Sequence, residues 1–349
     1  MPPEVQMIIT ALLGLALAFA GAFACTPLVR RLAHLVGAID DPQRDAERRM
    51  HTVPKPRLGG LAIFAGFLAA VLLFGELDRV MVSILLGAVV MAILGAIDDV
   101  TPLHFSIKFL VQIGAALIPV LYGGLRIEFF SNFLPHIPSL YINLGAWSYP
   151  LTVIWIVAIT NAVNFIDGLD GLTAGVMSIS SGTLCIIALL LLEPGTAIVA
   201  AAITGGCLGF LPYNRNPAKI FMGDSGTLFL GFTLAAVSIT GLFKFYTVIS
   251  FAVPFLMLGL PIFDLIFAIV RRISKGKHPM TPDRGHLHHR LIDMGFTQKR
   301  AVSIIYVMSA LLGLAAVVLT TDGELRAMIF LFAMAVAAAI AVALARRKP

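Results

Sequence analysis

Charge is what this sequence has least of. Of its 349 residues 13% are Asp, Glu, Lys or Arg, 59% are hydrophobic, and the mean hydropathy is +0.94. A soluble domain carries about 25% charged residues, so this chain cannot cover a water-facing surface, and intrinsic disorder is excluded with it. Cysteine is scarce too. Cys25, Cys185 and Cys207 each lie in an apolar run with no CxxC partner, which leaves neither a disulfide framework nor a cysteine zinc site. There is no GxxxxGK[ST] loop and no GxGxxG turn, so a Walker-type ATPase and a dinucleotide fold are unsupported. Repeats, low-complexity tracts and long linkers are also missing. The first apolar run has no basic flank before it, and Arg30 and Arg31 follow it, which reads as a retained helix and not a signal peptide.

What the chain does have is apolar length. Eleven stretches approach the roughly 20 residues that cross a bilayer: about 5–27, 58–75, 80–97, 105–123, 148–163, 172–192, 196–213, 226–242, 247–270, 301–320 and 326–345. The predicted fold is an all-α polytopic membrane protein of about 11 transmembrane helices, a single integral-membrane domain over 1–349. With the N-terminus outside, alternation puts 28–57, 98–104, 164–171, 214–225, 271–300 and the C-terminus in the cytoplasm. The cations agree with this. All but Arg79, Arg126, Lys244 and Arg326 of the 25 Lys and Arg fall on the cytoplasmic side, as the positive-inside rule requires. The net charge of +6 therefore reports a lipid bilayer and does not imply nucleic acid.

The few acids and imidazoles gather on that same side. Asp98 and Asp99 end the third span; Asn164, Asp167 and Asp170 follow the fifth; Asp224 precedes the eighth; His286, His288 and His289 lie in the loop after the ninth. Each cluster has a plain structural reading beside the functional one. Adjacent Asp98 and Asp99 point about 100° apart on a helix, so one faces a ligand while the other pairs with a cation such as Lys108. Asp167 and Asp170 share a face if the helix continues, whereas Gly168 and Gly171 favour a tight loop. Asp224 either caps a helix or holds a ligand. The histidines suit zinc with Asp224, or, flanked by Arg284 and Arg290, an anion. Asp264, between Pro261 and Arg271, is either a structural partner of a basic residue or part of a lipid-entry groove.

Carboxylates that hold a hard cation, beside cations that meet oxyanions, are the parts phosphoryl transfer needs. At a membrane surface this chemistry implies one water-soluble and one lipid substrate. The rival readings are a transporter or lipid flippase, whose polar groups usually lie at the midplane, and an envelope scaffold without chemistry.

Six motifs carry a more specific signal: DDPQRDAERRMHTVPKPRLGG, IDDVTPLHFSIKFLVQ, NAVNFIDGLDGL, NRNPAKIFMGDSGTLFLG, PIFDLIFAIVRR and PDRGHLHHRL, in that order. Together they resemble the polyprenyl-phosphate N-acetylhexosamine-1-phosphate transferase family over nearly the whole chain. The resemblance implies transfer of a sugar-1-phosphate from a UDP-sugar to undecaprenyl phosphate in a bacterial cytoplasmic membrane, with magnesium, or manganese in its place. It implies Asp224 as metal ligand with Asn164, and Asp98 as the group that deprotonates or positions the lipid phosphate, with Asp99 paired to Lys108. Nucleoside contacts fall on Phe221, Asn164, Asp167, Asp170 and Asn214. His286 and His288 would face the diphosphate with His289 beside them, and Arg48, Arg49, His51, Lys55 and Arg57 would border the phosphates. GHLHH after Asp283 and Arg284 resembles the UDP-GlcNAc-using branch, which initiates wall teichoic acid, O-antigen or related polymers. The alternatives are another UDP-N-acetylhexosamine or UDP-MurNAc-pentapeptide. Gly205, Gly206 and Gly209 suit close helix packing within the chain or in a homodimer.

Overall fold

The structure, a computed structural model, describes residues 2–42, 53–131, 141–242, 248–276, 285–321 and scattered positions between 328 and 340. The described residues form α1 (Pro3–Val36), α2 (Gly59–Phe74), α3 (Arg79–Val100), α4 (Phe105–Leu117), α5 (Ser148–Phe165), α6 (Leu172–Leu190), α7 (Pro194–Asn214) and α8 (Asp224–Leu242). α9 (Val248–Met257), α10 (Gly259–Ser274), α11 (Leu287–Asp293) and α12 (Gln298–Thr321) follow. Two short antiparallel ribbons complete it: β1 (Ile39–Asp40) with β2 (Lys55–Pro56), and β3 (Phe129–Ser131) with β4 (Tyr141–Asn143). Among the described residues seven spans are long and apolar enough to cross a membrane. The all-α polytopic reading holds on that ground.

Helices that are apolar on every side need either lipid or other helices around them. α8 takes the second option: Phe229, Leu230, Phe232, Leu234, Ala235 and Ala236 are all buried, with α3 and α5 against it. α7 packs on α1 and α6. Its glycines make the approach to α1 possible, since a Cβ on Gly205 or Gly209 would sit 2.1 or 2.3 Å from the carbonyl oxygens of Leu15 and Phe19. Gly206 lies against Ile63 in the same way. These small residues are thus consumed inside the chain, and the homodimer expectation loses the feature that suggested it.

Two boundaries differ from expectation. α1 continues through Pro27 to Val36, so the first loop begins well after 28, and Gly37 ends the helix in the left-handed conformation. The stretch 247–270 is two helices, not one, interrupted at Leu258. The reason lies in Pro261, which has no N–H to offer the carbonyl four residues back; that carbonyl, on Met257, instead accepts the Ser180 hydroxyl at 2.7 Å. The predicted span 326–345 falls largely outside the described residues.

The start of α8 is where the bundle is tightest. A Cβ on Gly60 of α2 would lie 2.0 Å from the Gly226 nitrogen, and one on Gly95 of α3 would lie 2.2 Å from the Asp224 oxygen. Both helices meet α8 backbone to backbone, with no room for a methyl group. Gly95→Ala is therefore expected to destabilise the protein by about 1–3 kcal/mol, read as a lower melting temperature in detergent. Gly114→Ala, at a position that faces open space, should leave melting unchanged. Equal melting of the two variants would refute the close contact.

Candidate active site

Asp99 closes the α8 N-terminus from another helix. The first N–H groups of a helix have no partner within it, and here those of Asp224 and Ser225 donate to the two Asp99 carboxylate oxygens at 2.9 and 3.0 Å. The Asp99 side chain is fully buried, and the Arg57 Nε lies 3.2 Å from it. Burial of an unpaired carboxylate would cost several kcal/mol; the guanidinium, two amides and the positive end of the helix together offset it. Gly223, at φ +74°, lets the chain turn directly over this carboxylate.

With its helix end capped by Asp99, Asp224 has its own side chain released. It is therefore not the N-cap that its position before a span allowed. Its Oδ1 accepts from the Asn164 Nδ2 at 3.1 Å and lies 3.7 Å from Arg57, while its Oδ2 takes the Lys108 ammonium at 3.2 Å. Lys108 reaches Asp98 as well, at 3.1 Å, and Asp98 also accepts the Leu103 N–H at 2.7 Å. This corrects the expected pairing of Asp99 with Lys108. Adjacent carboxylates do diverge on the helix, but the lysine follows Asp98 and the arginine follows Asp99. Burial opposes the Arg57 charge, yet Asp99, Asp224, Asp40 and Asp167 surround the guanidinium and hold its pKa above the usual value.

Three carboxylates, Asp98, Asp99 and Asp224, thus face two cations, Lys108 and Arg57. The donors are oxygens only, with Asp224 partly open and a carboxamide beside it. Magnesium prefers oxygen ligands and binds through one or two carboxylates plus substrate phosphates, so the residues present fit it. A protein-only cage is not there: among the described residues no three His, Cys, Asp or Glu side chains group around one point.

The segment 166–171 is a tight loop, so Asp167 and Asp170 part company. Asp167 stands exposed, close enough for Asp224, Arg57 and Asp99 to act on its charge. Asp170 is buried and its Oδ2 accepts from Lys55 at 3.3 Å, Asn216 at 3.1 Å and the Ala218 N–H at 2.9 Å. The Lys55 ammonium in turn lies 5.0 Å from the centre of the Phe221 ring. Asn214 is buried with its amide engaged by backbone, accepting from Gly171 and donating to Ile220. It shapes the loop.

The histidines join the same end of the bundle through α10. Asp264, buried on that helix, accepts from the His286 Nδ1 at 2.7 Å and the Leu287 N–H at 2.8 Å. Asp264 is thus the anchor of the histidine segment, holding both the ring and the backbone of its first residues. The rings of His286 and His288 are parallel, 5.8 Å apart, and His289 lies 4.3 Å beyond. His288 fills the space beside Gly168, where a Cβ would be 2.1 Å from its Nε2. Only glycine at 168 lets the imidazole meet the 166–171 loop. Burial, with His289 next in effect, pushes the His288 imidazole down to about 3, so it is neutral near pH 7.

Arg48, Arg49 and His51 lie outside the described residues. Three contacts involve motif residues to which the sequence reading gave no role: Asp40, 3.9 Å from Arg57; Asn216, which also donates to Gln298 at 2.6 Å; and the Gln112–Asn161 amide pair. Helical spacing puts Gln112 on the face of Lys108, four residues earlier, and Asn161 on the face of Asn164, three later; that the two faces meet comes from the fold.

A multi-pass membrane enzyme with its polar chemistry at one end is the class that fold and site define. Residues 81–242 match the family described as glycosyl transferase family 4. The chain is 41% identical over 315 residues to the probable undecaprenyl-phosphate N-acetylglucosaminyl 1-phosphate transferase of Bacillus subtilis (strain 168), covering 88% of this chain and 85% of that one. Against the decaprenyl-phosphate N-acetylglucosaminephosphotransferase of Mycobacterium tuberculosis (strain H37Rv) it is 37% identical over 337 residues, 88% and 81% of the two chains. The undecaprenyl-phosphate alpha-N-acetylglucosaminyl 1-phosphate transferase of Escherichia coli (strain K12) is 29% identical over 290 residues, 81% and 77%. The chain belongs to the polyprenyl-phosphate N-acetylhexosamine-1-phosphate transferase family.

His288 makes a pH prediction with a definite sign. An unfolded imidazole takes its proton near 6.5 and the folded one near 3, so between these values the unfolded state holds more protons and stability falls as pH drops. Melting temperature should decline from pH 7.5 to 5, and the decline should be smaller in His288→Gln. An identical pH slope in the variant would mean that His288 is not neutral when folded.

Proposed function

We propose that this protein transfers N-acetylglucosamine-1-phosphate from UDP-GlcNAc to undecaprenyl phosphate, giving undecaprenyl-diphospho-GlcNAc and UMP, and so initiates a cell-envelope glycan. The observation that carries this reading is the Asp224 cluster, three carboxylates on two cations at a capped helix end, in a chain covering 85% of a relative named for that reaction. The proposed topology has eleven spans in a bacterial cytoplasmic membrane, with the N-terminus outside and the cluster facing the cytoplasm. The one-sided distribution of Lys and Arg supports it.

In the reaction, an oxygen of the lipid phosphate attacks the β-phosphorus of the UDP-sugar, and the bond from that phosphorus to the bridging oxygen breaks, releasing UMP. A phosphate monoester has its second pKa near about 6, so the nucleophile is already ionised near neutral pH and needs little general-base help. Asp98, tied to Lys108 and the Leu103 N–H, serves to aim the ammonium. Lys108 and Arg57 present positive charge to phosphate oxygens. Asp224 and Asn164 would hold magnesium, which when bound neutralises charge on the diphosphate. Phe221, with Lys55 at one face of its ring, offers a stacking surface for uracil. His286 and neutral His288 supply hydrogen bonds near the diphosphate, and His288 adds no further buried cation.

Purified protein incubated with undecaprenyl phosphate and labelled UDP-GlcNAc should release UMP only when magnesium is present. No UMP from any UDP-N-acetylhexosamine would sink this reading. Asp224→Asn should lower kcat by at least about a thousandfold while the protein stays folded; wild-type turnover would move the metal elsewhere. Phe221→Ala should raise the KM for UDP-GlcNAc about tenfold, the equivalent of about 1.4 kcal/mol of lost stacking. An unchanged KM would remove uracil from that ring.

A further inference from the structure

α4 buries few side chains and carries Lys108, the cation that pairs with Asp98 and Asp224. Its outward side chains Phe105, Ile107, Phe109 and Leu110 are exposed, and its only buried residues are Gln112, Ala115 and Ala116. Two alanines supply no directional contact. Gln112 does: its Oε1 accepts the Asn161 Nδ2 of α5 at 2.6 Å, and its own Nε2 lies 3.5 Å from the Asn161 Oδ1. Asn161 also donates to the Val157 carbonyl at 2.8 Å, which fixes its rotamer.

The two amides stand in register with the site. α4 begins at the site and runs away from it; α5 arrives there at its C-terminal end. At 1.5 Å per residue, Gln112 lies about one turn beyond Lys108 on α4, and Asn161 lies just under one turn before Asn164 on α5. Lys108 and Asn164 are the side chains that hold the two oxygens of Asp224, at 3.2 and 3.1 Å. The same pair of helices is therefore joined twice, once through Asp224 and once, a turn deeper, through the amides. Around the deeper joint the surroundings are apolar: Asn161 shares a groove of about 260 Å³ with Phe109, Ile113, Val157, Phe165 and Ile269. An amide that loses its partner there has no water to replace it.

We propose that Gln112 and Asn161 are a positioning pair, whose reciprocal amide contact sets the spacing of α4 and α5 and through it the placing of Lys108 and Asn164 on Asp224. The pair lies about one helical turn from the side chains that hold Asp224. Its effect on turnover rests on the phosphotransferase reading above, whereas its effect on helix spacing does not.

The test uses both consequences. In the UMP assay, Gln112→Leu and Asn161→Leu should each lower kcat about tenfold or more with the KM for UDP-GlcNAc within about twofold of wild type. The exchanged pair, Gln112→Asn with Asn161→Gln, keeps one long and one short amide and should restore kcat to within about threefold. In parallel, spin labels at Leu110 of α4 and Leu314 of α12, both exposed, in a background with the three cysteines replaced, should show one narrow distance distribution in wild type, a broadened one in either leucine variant and a narrow one again in the exchange. Wild-type kcat in the single variants, an exchange that fails to restore it, or a label distance that never changes would overturn the proposal. If the wild type releases no UMP at all, the functional reading falls, and the label distances alone still decide whether the pair holds α4.

Discussion

The contact between the Asp99 carboxylate and the first amides of α8 is the constraint on which the rest of the site depends. A helix end buried among other helices must find partners for its N–H groups. Had Asp224 capped its own helix, its carboxylate would have turned back onto the backbone. Because α3 supplies the cap from outside, Asp224 faces Lys108, Asn164 and Arg57 instead. The arrangement requires α3 and α2 to come within backbone distance of α8, which Gly95 and Gly60 permit. Packing and electrostatics are one problem here: the glycines that look like spacing devices decide where a charge points.

Around that centre each carboxylate has a separate duty set by its neighbours. Asp98 directs Lys108, Asp99 holds α8 and Arg57, Asp170 fastens Lys55 and the loop that carries Ala218, and Asp264 anchors the histidines. Asp224, which is partly open, and the exposed Asp167 are the acids left accessible at this end of the bundle. In an apolar bundle, buried carboxylates survive only when paired, so four of these six acids are spent on construction. A few remain to do chemistry.

Much of this was legible in the linear chain. Apolar runs near 20 residues gave the helices, and the clustering of acids and imidazoles between them gave the residues of the site, Asp98, Asn164, Asp224 and His288 included. Other features were not legible, and the reasons are specific. The break at Leu258 follows from a proline whose missing N–H acts one turn upstream. The partner of Lys108 depended on which of two adjacent carboxylates α3 turns toward α4. The Gln112–Asn161 contact joins residues 49 positions apart, and it exists only because the fold sets α4 beside α5.

Sequence by itself determined that the chain is an all-helical membrane protein, which family it resembles and which polar residues crowd one end of the bundle, because hydropathy and motif order are properties of the chain in one dimension. Only the tertiary structure decided what each of those residues does. A carboxylate's role is set by whichever amide or cation lies within about 3 Å of it, and that distance comes from helix rotation and close glycine packing. Asp99 and Asp224 are equally acidic on paper; one is a cap and the other meets Lys108, Asn164 and Arg57 because α3 and α8 cross where they do.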